Sequence, residues 1–102
     1  MNPNFEWDEE KAETNLKQHK VSFDEGATVF SDPFSITIPD PDHSTDEERD
    51  LDIGTSDKGR ILVVSYTERG TNIRIISCRK AEPTERRRYE EGNDQDDTDD
   101  RG

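Results

Sequence analysis

No run of about 18 apolar residues occurs anywhere in this chain, which excludes a membrane-spanning helix at the level of the sequence. The opening MNPNFEWDEE is acidic and has no apolar signal core, and the single cysteine, Cys78, can neither close an intrachain disulfide nor hold zinc by itself. A cytoplasmic protein without bound metal or cofactor is therefore expected. Apolar residues are scarce as a whole. Only 25% of the 102 residues are hydrophobic against 39% charged, so one domain with a small core is the most the chain can build.

Charge is abundant and unevenly placed. From Met1 to Asp52 there are 15 acidic and 4 basic residues, from Ile53 to Tyr89 there are 4 acidic and 9 basic, and from Glu90 to Gly102 there are 7 acidic and 1 basic. These add to the overall −12. A basic island thus stands between two acidic stretches. The same island holds the β-branched runs Ile61 to Thr67 and Asn72 to Cys78, so the core and the positive charge coincide.

Asp8 with Glu9 and Glu10 reads as a helix start, with acids at the positive end of the dipole. The helix should run to about His19, burying Ala12, Leu16 and His19 in one stripe, supported by a Glu13 to Lys17 pair and ending near Lys20. Phe5 and Trp7 should pack beneath it. Ser22 to Glu25 matches the capping box, predicting a short second helix with Phe23, Ala27 and Phe30 inward, stopped at Asp32-Pro33. Phe34 to Ile38 alternates as a strand, and Leu51 to Gly54 is a second. Ile61 to Thr67 and Asn72 to Cys78 should form an antiparallel hairpin about Gly70. Pro83 opens a helix expected over Thr84 to Glu91. The predicted architecture is α+β: two N-terminal helices, a four-stranded antiparallel sheet and a C-terminal helix, with residues 1–91 forming the domain and 92–102 an acidic, disordered tail.

The loop from Asp40 to Asp50 is polar. Asp40, Asp42, Ser44 and Asp46 alternate as in a calcium loop, but Thr45 replaces the required glycine and Leu51 falls where a bidentate glutamate belongs. His43 has no companion histidine at ligand spacing. No metal site is predicted.

Trp7-Asp8, Lys11-Ala12, Asn15, His19, Val21-Ser22-Phe23, Val29-Phe30, Asp32-Pro33, Glu48-Arg49, Ile53-Gly54, Arg79-Lys80-Ala81, Glu85-Arg86 and Tyr89 together resemble the BrnT family of toxins from bacterial type II toxin–antitoxin systems. The resemblance covers Phe5 to Glu91. It implies a RelE-like fold and growth-arresting RNA cleavage, neutralised by a DNA-binding BrnA-like antitoxin through which alone the complex would meet operator DNA. Gln18-His19-Lys20 departs from the family's usual Lys-His-Gly, so a lysine stands at the glycine cap.

Metal-free cleavage of RNA needs a proton acceptor for the 2′-hydroxyl, cations for the phosphate and a donor for the leaving oxygen. Arg79, at the end of the last strand, suits transition-state stabilisation or simply covers the C-terminal helix. His19 is the acid–base candidate, since imidazole changes charge near neutrality, with packing against Ala12 and Leu16 as its other reading. Arg49 and Arg69 are lesser catalytic candidates. The family resemblance adds Tyr89, which otherwise caps the sheet. Lys58, Arg60, Arg74, Lys80 and Arg86 are expected to follow the RNA backbone. Net acidity confines RNA to that local face, because charges are screened beyond about 8 Å at physiological salt. The antitoxin is expected to cover the same face. A catalytically weak chain acting as an antitoxin-binding co-repressor is the alternative, and an acidic tail occupying the basic face is a third reading from charge.

Overall fold

The computed structural model of the protein describes residues 4–40 and 48–101. One sheet, in the order β1-β5-β4-β3-β2, is built from β1 (Asn4–Glu6), β2 (Ile36–Pro39), β3 (Asp50–Thr55), β4 (Ile61–Arg69) and β5 (Asn72–Lys80). The α+β class agrees with expectation, but the sheet has five strands instead of four and is not wholly antiparallel. The additional strand, β1, runs parallel to β5 with Phe5 opposite Ile73 and Glu6 opposite Arg74. Three residues are too few to show a period. Their strand exists because β5, remote in sequence, offers them a ladder.

Three helices complete the fold: α1 (Glu9–His19), α2 (Phe23–Thr28) and α3 (Pro83–Arg101). Asp8 accepts from the Glu10 and Lys11 amides at 2.8 and 3.3 Å, and the Ser22 hydroxyl accepts from the Glu25 amide at 3.0 Å. Each cap satisfies amides that a first turn leaves unpaired. At the other end of α1, Lys20 adopts φ 61° and its amide donates to the Leu16 carbonyl at 2.9 Å. This left-handed conformation is one that glycine takes with less strain. Helix α3 outruns its expected end at Glu91, as no proline follows Pro83 to stop it.

Val21, Phe23, Val29, Leu62, Val64, Ile75 and Cys78 form the core, with Trp7, Ala12 and Phe30 packed against it. The stripe expected on α1 is rotated. Leu16 is 49% exposed and His19 lies at the surface, whereas Asn15 is buried. The Asn15 amide donates to the Val21 and Cys78 carbonyls, both at 2.8 Å, and its oxygen accepts from the Cys78 amide at 3.1 Å. Beyond the end of β1, a side chain thus takes the place of a neighbouring strand. These bonds turn α1 so that Asn15, not Leu16, faces the sheet. Helix α2 meets β5 through its backbone, since a Cβ on Gly26 would stand 3.0 Å from the Cys78 sulfur.

Strand β2 begins two residues later than expected. Asp32 accepts from the Phe34 amide at 2.9 Å, so the chain turns there and leaves Phe34 57% exposed. The hairpin of β4 and β5 forms as expected, with Arg69 opposite Asn72 and Gly70 at φ 60°. Leu62 and Val64 face α1 and α2; by strand alternation Ile36, Ile53 and Val63 point the other way, where α3 packs on β3. Asp42, His43, Ser44 and Asp46 lie outside the described residues. No helix among the described residues is long and apolar enough to cross a membrane.

Candidate functional site

Antiparallel pairing brings the start of β4 beside the end of β5. Leu62 lies opposite Lys80, and the Ala81 amide donates to the Ile61 carbonyl at 2.9 Å. The first turn of α3 follows at once and adds Arg86, whose amide donates to the Glu82 carbonyl at 2.8 Å. The result is a cleft of about 330 Å³ lined by Gly59, Arg60, Ile61, Lys80, Ala81 and Arg86. Its three cations come from separate parts of the chain.

Arg60 is the most firmly placed of them. Its Nε donates to Glu25 Oε2 at 2.9 Å, while Nη2 pairs with Glu25 Oε1 and donates to the Lys20 carbonyl at 3.1 Å. The Glu25 pair does not use Nη1. Glu25 is buried and also accepts from the Ser56 hydroxyl at 2.7 Å, and the Ser56 amide donates to the Arg60 carbonyl at 2.8 Å. The guanidinium lowers the Glu25 carboxyl pKa against the opposing effect of burial, and Glu25 in turn raises that of Arg60. Sequence reading assigned Glu25 to the second half of a capping box. Only the serine half is present, because the carboxylate is committed to Arg60.

Arg79 and Tyr89 hold α3. The Arg79 guanidinium meets Glu85 through two parallel bonds of 2.7 Å, and Glu85 also accepts from the Glu82 amide at 2.8 Å. The fork raises the Arg79 pKa and lowers that of Glu85. Tyr89 donates to Asp32 Oδ2 at 2.7 Å and shares a 3.0 Å hydrogen bond with the Thr55 hydroxyl; burial raises its pKa. At Asp32, burial raises the carboxyl pKa, but bonds from the Thr55 amide, Tyr89 and the Phe34 amide outweigh it.

The other expected site residues are dispersed. His19 lines a separate cleft of about 350 Å³ with Lys11, Gln18, Ile76 and Ser77, although it immediately precedes the Lys20 carbonyl that Arg60 holds. Lys58 is exposed in the turn before Arg60. Arg74 sits at the opposite end of β5, 3.1 Å from Glu6, and Arg69 is beside the hairpin turn. Arg49 precedes β3, its carbonyl accepting from the Asp40 amide at 3.1 Å and its Nε buried without a hydrogen-bond partner among the described residues. The fold therefore gathers Arg60, Lys80 and Arg86, places Lys58 in the adjoining turn, and does not bring Arg49, Arg69 or Arg74 to them.

Two further polar residues escaped the sequence reading. Asn15 carries no local signal in the sequence beyond its place in the family motif. Asp52 is buried on β3, where burial pushes its carboxyl up to about 6; a bond to Ser35 lowers it in part, and Asp32 raises it. Its Oδ1 has no hydrogen-bond partner among the described residues. No three His, Cys, Asp or Glu side chains gather to hold a metal among the described residues.

A family model described as the ribonuclease toxin BrnT of type II toxin–antitoxin systems matches residues 7–85. The crystal structure of the Brucella abortus ribonuclease toxin BrnT superposes with a TM-score of 0.58 at 24% identity, covering 78% of this chain and 97% of that one. That likeness supports the fold, α+β with three helices and a five-stranded sheet. No curated protein matches the sequence significantly. With the stretch from Trp7 to Glu85 inside the family model, the protein belongs to the BrnT family of ribonuclease toxins of type II toxin–antitoxin systems.

Proposed function

We propose that this chain is a metal-independent endoribonuclease whose phosphate seat is the cleft of Arg60, Lys80 and Arg86. The observation that carries the reading is Arg60, a guanidinium oriented in advance by the buried Glu25 and the Lys20 carbonyl. A cation fixed before substrate arrives loses little by reorganising as charge develops on a phosphate.

In the proposed reaction the 2′-oxygen attacks the adjacent phosphorus and the 5′-oxygen leaves. The products are a 2′,3′-cyclic phosphate and a free 5′-hydroxyl. Arg60 and Lys80 stabilise the equatorial oxygens, and Arg86 holds the neighbouring phosphate. RNA that extends from this cleft to the neighbouring one meets His19, which takes the 2′-hydroxyl proton, and water returns a proton to the leaving 5′-oxygen. Arg79 and Tyr89 act through α3, the first by fixing the turn that presents Arg86. RNA cleavage in the cytoplasm would arrest growth until a DNA-binding antitoxin of the BrnA type covers the site.

The test is cleavage of a short RNA by the purified chain in excess EDTA, with end-group analysis of the products. Arg60→Ala should lower the rate by about 100-fold or more. Undiminished cleavage by Arg60→Ala would remove the cleft from the chemistry, and suppression by EDTA would remove metal independence. The engagement of Arg79 and Tyr89 by Glu85 and Asp32 favours a second reading, an antitoxin-binding co-repressor. Absence of cleavage by the wild-type chain, with antitoxin binding intact, would establish that reading.

A further inference from the structure

We infer that the groove between α1 and α2 is the docking seat for a basic amphipathic helix of the antitoxin. The groove has a volume of about 420 Å³ and an apolar floor of Trp7, Ala12, Leu16 and Phe23. Leu16 stands half out of the protein because Asn15 occupies the inward position on α1. Trp7 and Phe23 meet edge to face with centroids 5.8 Å apart, giving the floor a firm wall.

The rim decides the occupant. Glu9, Glu13 and Asp24 line it, all three are exposed, and none makes an ion pair or side-chain hydrogen bond among the described residues. Even the Glu13 to Lys17 pair favoured by helical spacing is not formed. An apolar floor inside an unneutralised acidic rim repels nucleic acid and anionic lipid. A second copy placed about a two-fold axis would set two acidic rims against each other. A helix with leucine-like anchors one turn apart and lysines or arginines beside them satisfies both parts of the groove.

Backbone hydrogen bonds connect the helix that carries the groove to the cleft. The Leu16 carbonyl accepts from the Lys20 amide, and the Lys20 carbonyl accepts from Arg60. A partner anchored on Leu16 is therefore one helical turn from the phosphate seat. Its adjoining segment can cover Arg60, which separates the surface that gives affinity from the surface that blocks substrate. The inference rests on the antitoxin partner implied by the family and is independent of the cleavage chemistry.

The test measures binding of the purified full chain to the antitoxin encoded beside it, with RNA binding and circular dichroism run in parallel. Leu16→Glu should weaken the complex by about 30-fold or more, as loss of a central anchor does. Glu9→Lys/Glu13→Lys/Asp24→Lys should weaken it by about tenfold and flatten its salt dependence, with RNA affinity retained in both variants. Wild-type affinity in both variants would overturn the docking site. So would loss of antitoxin binding confined to Lys80→Glu and Arg86→Glu, which would place the partner on the cleft alone. Concentration-dependent dimers of the chain by itself that Leu16→Glu abolishes would assign the groove to a second copy instead.

Discussion

Glu25 and Asp52 are each 4% exposed, yet one is held ionised and the other is pushed toward neutrality. Around Glu25 the structure supplies a guanidinium and a hydroxyl. Around Asp52 it supplies Ser35 and a second carboxylate, Asp32, and leaves one oxygen without a partner among the described residues. Surface exposure is the same, although Asp52 lies deeper and is desolvated more strongly. The difference teaches that a buried acid is defined by what is brought to it, and that only the first neighbourhood turns burial into an oriented positive group.

The largest predicted effect concerns the uncharged solution to the same problem, Asn15. Asn15→Ala leaves the buried amide and carbonyl of Cys78 unpaired toward α1 and should cost about 3 kcal/mol in denaturant unfolding. A cost below about 1 kcal/mol would mean that water takes over the hydrogen bonds of the side chain.

Asp52→Asn should isolate the unpaired acid. A folded pKa raised to about 6, above an unfolded value near 3.9, contributes stability that is present at acid pH and lost as pH rises through about 6. The variant should therefore gain about 2–3 kcal/mol on the wild type between pH 4 and pH 7.5. A constant difference across that range would show that Asp52 is ionised throughout. Glu25 has the opposite sign, its lowered pKa giving stability above the unfolded value that disappears as pH falls through the folded one.

Arg60→Ala turns the first neighbourhood into a copy of the second. Because Arg60 is 32% exposed, water can reach the abandoned carboxylate, and the loss should be about 1–2 kcal/mol, less than for a fully enclosed pair. Smallest of all is Arg74→Ala. Arg74 is also 32% exposed, but its partner Glu6 is 33% exposed, so thermal unfolding and RNA cleavage should both match the wild type. A loss of cleavage from Arg74→Ala would show that the far end of the sheet touches substrate.

Local signals in the sequence were reliable where the cause was local. The Asp8 and Ser22 caps, the turn at Gly70 and the helix opening at Pro83 each depend on a few adjacent residues, and each is found. Periodicity misplaced the buried face of α1 because it counts apolar residues, whereas the face is set by an asparagine bonded to a strand far along the chain. Strand β1 was missed for the same reason. In the candidate site, Arg60, Lys80 and Arg86 were legible as cations of one island. Their separation from Arg69 and Arg74 was not, since it follows from which ends of β4 and β5 lie together. Glu25 was recognised and assigned to a local bond, its distant partner having no signature in spacing.

The amide of Asn15 has a colloidal consequence. Strand β1 covers only the first part of the outer edge of β5, and a bare ladder invites another chain to continue it. At Cys78 that continuation is already occupied from within, beside a thiol pushed up to about 12 by burial. A second molecule adding to this edge would first have to extract a packed side chain. Helix α1, bonded to the edge through this side chain, therefore occupies a place that another chain would need for templated stacking, without the length of another strand.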